Sequence, residues 1–173
     1  MMLTALVTWI LSADPTAPFE SAAGGFSALF PGVVREQVKT QSARTGTIDT
    51  HVFNAETEEM GFLVSYADHA PEVVKAVGPR AQLVAAREAV VGTKGRLLTE
   101  RELTLQGKPG IEFRFAKDGV VATERAFWVG RRLYQVMALG SPGETHDRAA
   151  TIFLDSFKLV EPAKRSPRGA SAQ

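Results

Sequence analysis

Hydrophobic and polar residues alternate along much of the chain, a pattern typical of β-strands with one buried and one solvent-facing side. The clearest runs are residues 47–53, 62–66 and 111–115. In the last run apolar and charged residues alternate strictly, so we expect one face to be exposed and the other to be buried. Asp118-Gly119 tolerates positive φ angles and predicts a tight turn between two further strands. The pattern therefore predicts antiparallel hairpins. Phe26 and Leu29-Phe30 predict a short strand that is stopped by Pro31-Gly32 and forms the first edge of the sheet.

Two segments change to helical spacing. Residues 79–91 are rich in alanine, begin with a proline suited to a first helical turn and are followed by Gly92, which suits a helix end. A second helix is expected to begin near residues 141–144 and to place Ile152 and Phe153 on its inner face. Hairpins, a helix, a strand meander and a final helix predict an α+β domain with helices packed on an antiparallel sheet.

Short glycine, proline and aromatic motifs recur at the strand ends: Gly24-Gly25-Phe26-Ser27 with Pro31-Gly32, Val64-Ser65-Tyr66-Ala67-Asp68, Gly107-Lys108-Pro109-Gly110-Ile111-Glu112, Arg131-Arg132-Leu133-Tyr134-Gln135-Val136 and Phe153-Leu154-Asp155-Ser156-Phe157. Together they resemble the Mog/PsbP-like superfamily, including its DcrB-type bacterial members. The resemblance implies an α/β/α sandwich with a central antiparallel sheet flanked by helices. It also implies an accessory or adaptor role more often than an enzymatic one, and it carries over no metal ligand.

The N-terminal residues differ from the rest of the chain. Residues 3–11 are uncharged and largely apolar, and Ser12-Ala13 follows them. This arrangement resembles a signal peptide with a small-residue cleavage site, so residues 1–18 are predicted to be a signal peptide and linker. The product would be periplasmic or secreted, and it would keep no membrane span. Because no Lys or Arg precedes the run, a cytoplasmic protein with a short helix or strand packed on the domain is the alternative.

Composition sets limits on the remaining residues. The 173 residues, 45% hydrophobic and 23% charged, fit one globular domain, which the resemblance places at residues 19–160. Residues 161–173 are small, polar and basic, and they predict a disordered tail. Twenty Lys and Arg against 19 Asp and Glu leave a net charge of +1, too little for a nucleic-acid partner. The absence of cysteine excludes disulfides, thiolate nucleophiles and cysteine-bound zinc.

One group of polar residues suggests chemistry. Tyr66, Asp68 and His69 lie together at a strand end, and His51 could join them across a hairpin. An imidazole beside a carboxylate can bind metal or move a proton, so a metal-dependent or hydrolytic enzyme using His51, Asp68 and His69 is the alternative function. We favour the simpler interpretation, in which Asp68 caps a turn and His69 is solvated, because paired ligand spacing is missing. The same interpretation applies to His146, which lies beside Glu144 and Asp147 in the charged first turns of the last helix. No catalytic residue, metal ligand or cofactor is predicted.

A second group suggests a partner. Neighbouring strand residues face opposite ways, so either Phe127 or Trp128 must lie under a helix or at a surface. Aromatic and arginine residues are enriched at interface hot spots. The candidate interaction surface comprises Trp128, Tyr134, Arg125, Arg131 and Arg132. A charged hairpin tip that protects the sheet edge is the alternative. The sequence predicts an exported, non-enzymatic accessory or protein-interaction domain of the cell envelope.

Overall fold

The computed structural model describes residues 17–43 and 46–160, so the predicted cleavage site and C-terminal tail lie outside the described residues. The described residues form the following elements in chain order: β1 (Phe19–Ser21), β2 (Phe26–Ala28), β3 (Arg35–Ala43), β4 (Gly46–Glu56), β5 (Met60–Asp68), α1 (Pro71–Ala76), α2 (Pro79–Val91), β6 (Arg96–Leu105), β7 (Lys108–Lys117), β8 (Val120–Val129), β9 (Arg132–Gly140), α3 (Glu144–Ser156) and β10 (Lys158–Leu159).

Seven strands form one antiparallel sheet in the order β3-β4-β5-β9-β8-β7-β6. The predicted hairpins β4–β5 and β7–β8 are confirmed, and the turn between β7 and β8 has positive φ at both Asp118 (50°) and Gly119 (84°). Helix α2 has the bounds that its spacing predicts. These elements follow the local pattern closely because each is specified by residues near in sequence.

Two expectations about the first and last elements are wrong. Phe26 was expected to begin the edge strand of the main sheet, but β2 is the middle strand of a separate sheet with order β1-β2-β10. Ile152 was expected on the inner face of α3, but it is exposed while Phe153 is buried. The buried face of α3 runs through His146, Ala150, Phe153 and Leu154, and Ile152 lies off it. Strand β2 pairs with β10 from the other end of the domain, a contact that the local pattern does not specify.

The hydrophobic core lies on both sides of the seven-stranded sheet. On one side α2 packs over β7 and β8, and Leu83, Phe113 and Trp128 belong to the buried cluster formed there. On the other side Phe127 and Phe153 belong to a second cluster, formed with α3 and the small sheet. The antiparallel sheet is confirmed. The expected sandwich is seen in part, because one side is covered by a helix together with a three-stranded sheet.

Candidate functional site

Asp68 ends β5 and Arg132 begins β9, and the antiparallel register pairs them directly. The Nε and Nη2 atoms of Arg132 donate to the two carboxylate oxygens of Asp68, each at 2.8 Å. Bidentate arginine–carboxylate pairs are among the strongest hydrogen-bonded ion pairs. The hydrogen bonds from Arg132 hold the pKa of Asp68 below its usual value, and Asp68 raises the pKa of Arg132. Asp68 is therefore ionised at neutral pH, with both oxygens engaged.

The third nitrogen of Arg132 fixes the loop between β1 and β2. Its Nη1 atom donates to the carbonyl oxygens of Ala23 (3.1 Å) and Gly24 (3.0 Å). The Tyr134 hydroxyl donates to the same Gly24 oxygen at 2.6 Å. We call Asp68, Arg132, Tyr134 and Gly24 the loop-anchoring cluster. It ties a loop near the start of the chain to the middle of the main sheet.

The glycine pair in this loop is explained by close packing. A Cβ atom on Gly24 would lie 2.7 Å from ring carbons of Phe26 and 2.7 Å from Oγ of Ser21. Gly25 has a φ of 63°, which favours glycine, and its carbonyl accepts a 2.9 Å hydrogen bond from the N–H of Val160. The loop thus joins the beginning of the domain to its end.

Tyr66 lies beside the loop-anchoring cluster, between the imidazole of His51 and the guanidinium of Arg132. Its ring stacks on His51 of β4 with centroids 4.6 Å apart, and the Arg132 guanidinium of β9 lies 4.4 Å from its centroid. The two groups approach from opposite sides because β5 lies between β4 and β9. Burial raises the pKa of the Tyr66 hydroxyl. His51 also meets Glu36 at 3.5 Å, so it is held between an aromatic ring and a carboxylate.

His69 does not join His51 and Asp68 in a common site. Its ring packs against Trp128, with centroids 5.1 Å apart, and its backbone N–H donates to the Arg131 carbonyl at 2.8 Å. Burial lowers the pKa of His69, which favours the neutral ring and corrects the expectation that His69 is fully solvated. Within residues 17–43 and 46–160, no group of three or more His, Asp or Glu side chains is arranged to hold a metal ion.

The residues of the predicted interaction surface separate into exposed and buried sets. Trp128 and Tyr134 are each only 4% exposed, because they lie on the two sides of the main sheet, each within a hydrophobic cluster. Arg132 is engaged with Asp68, whereas Arg131 is exposed at the tip of the β8–β9 hairpin. The hairpin end therefore exposes Arg131 to solvent, while the rings of Trp128 and Tyr134 are buried within the domain.

Arg125 lies in a different polar network, between the sheet and α3. Its Nε donates to Glu112 at 2.7 Å and its Nη2 lies 2.7 Å from Asp155 of α3. Glu112 also accepts a 2.7 Å hydrogen bond from Arg101. Burial by itself would raise the pKa of Glu112, but the hydrogen bonds from Arg101 and Arg125 hold it below its usual value. Arg125 thus pairs with Glu112 and Asp155 beneath α3, and it does not share the hairpin end with Arg131 and Arg132.

Glu124 is a buried acid that the sequence analysis did not select. It is 1% exposed on the α2 side of the sheet, and Gln135 donates to it at 2.8 Å. Burial raises its pKa to about 8, so it holds a proton at neutral pH. Gln135 also borders a 560 Å³ cleft between α2 and strands β4, β5 and β9. Alternation could have revealed Glu124, because it shares a strand face with Ala122 and Ala126.

His146 was expected among the charged, solvated residues at the start of the last helix, but it is buried. Its Nδ1 lies 3.2 Å from Asp147, and its Nε2 has no hydrogen-bond partner within the part of the chain that the structure describes. Asp147 in turn pairs with Arg114 at 2.8 Å. The ring packs near Gly140, where the main sheet ends and α3 begins. Helix position alone could not show this burial.

The fold and site define a class: an α+β domain built on a seven-stranded antiparallel sheet, whose most developed polar cluster anchors one of its own loops. No protein-family model matches the sequence, and a search of curated proteins found no match. Among solved structures, cyanobacterial PsbP (CyanoP) from Synechocystis sp. PCC 6803 is 10% identical, with a TM-score of 0.59 over 89% of this chain and 98% of that one. The chain has the PsbP-like fold, as its sequence resemblance predicted.

Two other solved structures are also similar. Protein PA94 from Pseudomonas aeruginosa, of unknown function, is 10% identical, with a TM-score of 0.42 over 65% of this chain and 90% of that one. A Bacteroides thetaiotaomicron protein is 11% identical, with a TM-score of 0.43 over 87% of this chain and 50% of that one. At such identities the likeness to CyanoP establishes the fold alone.

Proposed function

We propose that this chain is an exported, non-catalytic accessory domain of the cell envelope that acts by binding a protein partner. The observation that carries the proposal is the loop-anchoring cluster. Both carboxylate oxygens of Asp68 accept hydrogen bonds from Arg132. Arg132 and the Tyr134 hydroxyl also donate to the backbone carbonyl of Gly24. Groups that could carry acid–base chemistry instead hold the domain together, which supports a binding role.

The interaction surface that we propose is the end of the main sheet at the β8–β9 hairpin tip. Arg131 is exposed there, and its neighbour Arg132 donates to the carbonyl of Ala23 in the anchored loop, where Ala22 and Ala23 are also exposed. Trp128 and Tyr134 act as buried supports rather than contact residues: Trp128 backs the hairpin, and Tyr134 holds Gly24 in place. A rigid loop beside an exposed arginine loses little conformational entropy on binding, which favours recognition of a partner.

Export is the second part of the proposal. It rests on the apolar run at residues 3–11 and on Ala13, the last residue of the expected leader. Among the residues that the structure describes, no helix has both the length and the apolar character needed to cross a membrane. N-terminal sequencing of the native protein tests this part: we expect the mature chain to begin at Asp14, and a native protein that retains Met1 contradicts export.

Site-specific photocrosslinking tests the interaction surface. A photoreactive amino acid is placed at Arg131 in the full chain, in cells of the source organism, and the adducts are identified by mass spectrometry. The matched control places it at Arg96, which is also exposed but lies at the opposite end of the sheet according to the strand register. We expect one protein adduct from position 131 that disappears when Ala22→Glu is added.

Two outcomes would contradict the surface. The same adduct from position 96 would indicate non-specific contact. No adduct from position 131, in cells where the protein is present at its native level and folded by circular dichroism, would exclude a partner at the hairpin end.

A further inference from the structure

An apolar groove of 480 Å³ lies between α3, the β4–β5 turn and the segment that follows β2. It is lined by Met60, Phe62 and Phe153, which are buried, and by Leu29 and Ile152. Leu29 is 36% exposed and Ile152 is 57% exposed, although both are large apolar side chains. Exposed apolar side chains gathered at a concave surface are typical of a binding site.

Hydrogen bonds hold the walls of this groove in place. The N–H of Leu29 donates to Oγ of Ser156, the last residue of α3, at 2.9 Å. In the β4–β5 turn, the N–H of Thr57 donates to the Met60 carbonyl at 2.8 Å, and the N–H of Met60 donates to Oγ1 of Thr57 at 3.1 Å. The groove is therefore preformed, so a segment that binds in it does not have to order its walls.

The groove continues into an acidic depression. This second depression, of 430 Å³, shares Glu58, Glu59 and Met60 with the apolar groove and adds Glu144 and His146 at the start of α3. We call the two parts together the apolar–acidic groove. Apolar side chains line one of its parts, and three carboxylates lie along the other.

The carboxylates select the charge of an occupant. Glu58, Glu59 and Glu144 are exposed, and none of them forms an ion pair within the part of the chain that the structure describes. No described lysine or arginine lines either part, and this includes Arg148, the one arginine of α3. Complementary charge favours a partner and like charge disfavours it. The groove therefore favours a cationic occupant over the anionic surfaces of nucleic acids and lipids.

His146 adds a hydrogen-bonding group that the domain itself does not use. The residue is 2% exposed, and its Nε2 atom has no partner among residues 17–43 and 46–160. A buried polar atom without a partner is uncommon in folded proteins and lowers their stability. Because His146 lines the acidic part of the groove, a bound segment can supply the missing partner.

We propose that the apolar–acidic groove binds a segment of a partner protein in which large aliphatic side chains are followed by lysine or arginine. The aliphatic side chains pack against Phe62, Phe153 and Ile152. The cationic side chains pair with Glu58 and Glu59. An apolar anchor in a preformed pocket, with charged pairs at its rim, is the usual composition of a protein interface.

This groove is separate from the hairpin-end surface. Met60 pairs with Gly140 at one end of β5 and β9, whereas Asp68 pairs with Arg132 at the other end, next to exposed Arg131. The groove lies at the Met60 end and carries the opposite charge. The proposal therefore does not depend on a partner at the hairpin tip.

Amide chemical-shift mapping of the full chain by NMR tests the groove with a defined probe. The probe is a synthetic peptide with two leucines followed by two lysines among glycines and serines, and the matched peptide has glutamates in place of the lysines. We expect the lysine peptide to shift amides of residues 57–60 and 144–153, and to bind about tenfold more tightly than the glutamate peptide at low salt. No saturable shift, shifts mainly elsewhere, or equal binding of both peptides would overturn the proposal.

Charge variants test the acidic part. Glu58→Gln/Glu59→Gln should weaken binding of the lysine peptide about fivefold, as the loss of two exposed ion pairs predicts. Glu72→Gln/Glu88→Gln removes two exposed carboxylates from α1 and α2, which pack on the other side of the main sheet, and should leave binding unchanged. Equal effects of the two double variants would contradict recognition by the groove carboxylates.

A matched pair of variants tests the apolar part. Ile152→Ala shortens an exposed side chain of the groove and should weaken binding of the lysine peptide about fivefold. Val77→Ala shortens a side chain that is 39% exposed at the end of α1 and should have no effect. Circular dichroism verifies that both variants are folded. Unchanged binding by Ile152→Ala would overturn the apolar contact.

Photocrosslinking in cells identifies the natural occupant. A photoreactive amino acid replaces Ile152 in the full chain, with position 77 as the control, and the cross-linked peptide is sequenced by mass spectrometry. We expect a peptide of another protein that carries lysine or arginine next to aliphatic residues, in a yield that falls with Glu58→Gln/Glu59→Gln. A lipid adduct, a peptide of this chain itself, or no adduct from folded protein at its native level would overturn the proposal.

Discussion

Arg132 holds Asp68, its partner across the main sheet, through two hydrogen bonds of 2.8 Å, although 64 residues separate them in the chain. The same guanidinium binds the carbonyl oxygens of Ala23 and Gly24. One side chain therefore joins two strands of the main sheet to the loop of the small sheet. The carboxylate that the sequence offered as a candidate for chemistry therefore has both of its oxygens bonded to an arginine of the same domain.

The first prediction concerns this arginine. Arg132→Lys should lower the free energy of unfolding by about 1–3 kcal/mol, because one ammonium group cannot replace a bidentate pair and two carbonyl contacts. The pair is partly exposed, so solvent screening keeps the loss moderate. Urea denaturation measures it, with Arg131→Lys as the exposed control. Equal midpoints for the two variants would contradict the anchoring role.

The same pair has a predictable pH dependence. The folded pKa of Asp68 is below its usual value, so the stabilisation is present above the unfolded carboxyl pKa and is lost as the pH falls through the folded value. Arg132→Lys should therefore cost less at acidic pH than at neutral pH. A cost that is independent of pH would mean that the ion pair contributes little to folding.

The second prediction concerns the glycine loop. Gly24→Ala should destabilise the domain by about 1–3 kcal/mol, because its Cβ would lie 2.7 Å from Phe26 ring carbons inside a packed cluster. Gly78→Ala is the matched control: nothing lies within 4 Å of its Cβ position and its φ is −65°. Thermal unfolding distinguishes them, and a Gly24→Ala protein as stable as the control would show that the loop can move aside.

The third prediction concerns buried Glu124. Burial raises its folded pKa to about 8, above the unfolded value of 4.5. Its contribution is therefore fully present below about pH 4.5 and is lost as the pH rises towards 8, at up to about 1.4 kcal/mol per pH unit. Glu124→Gln, which is neutral at every pH, should gain stability relative to the natural protein over that range.

Urea unfolding of both proteins at several pH values checks this third prediction, and Glu20→Gln at an exposed position on β1 is the control. Parallel stability curves for the natural protein and Glu124→Gln would mean that Glu124 ionises normally in the folded state.

The fourth prediction concerns the network beneath α3. Glu112→Gln should lower the free energy of unfolding by about 1–3 kcal/mol, because it removes the carboxylate shared by Arg101 and Arg125 and leaves the largely buried Arg125 with only Asp155 as a charged partner. Glu102→Gln breaks only an exposed pair with Arg80 and should cost less than about 1 kcal/mol. Urea denaturation compares them, and similar losses would contradict a special role for this network.

Sequence patterns predicted the local elements well. Residues 79–91 form α2 because helix propensity, Pro79 and Gly92 act within a single segment. Asp118-Gly119 forms the expected turn because positive φ is a property of those residues themselves. Such features need no knowledge of distant parts of the chain.

The candidate site was predicted less well, because burial depends on what covers a face. Alternation placed Phe127 and Trp128 on opposite faces, but it could not show that both faces are covered and that both rings are buried. The same limit applies to Tyr134, whose hydroxyl is committed to Gly24, and to buried His146. Each depends on an element far away in sequence.

By itself, the sequence determined the strand and helix periods, the turns and the resemblance to the PsbP-like fold, because these depend on neighbouring residues and short motifs. Only the tertiary structure decided that Asp68 pairs with Arg132, that Glu124 is buried, and that β2 lies in a second sheet. The physical reason is that a side chain's burial, partners and pKa are set by packing between elements, and periodicity along one element carries no information about which other element it meets.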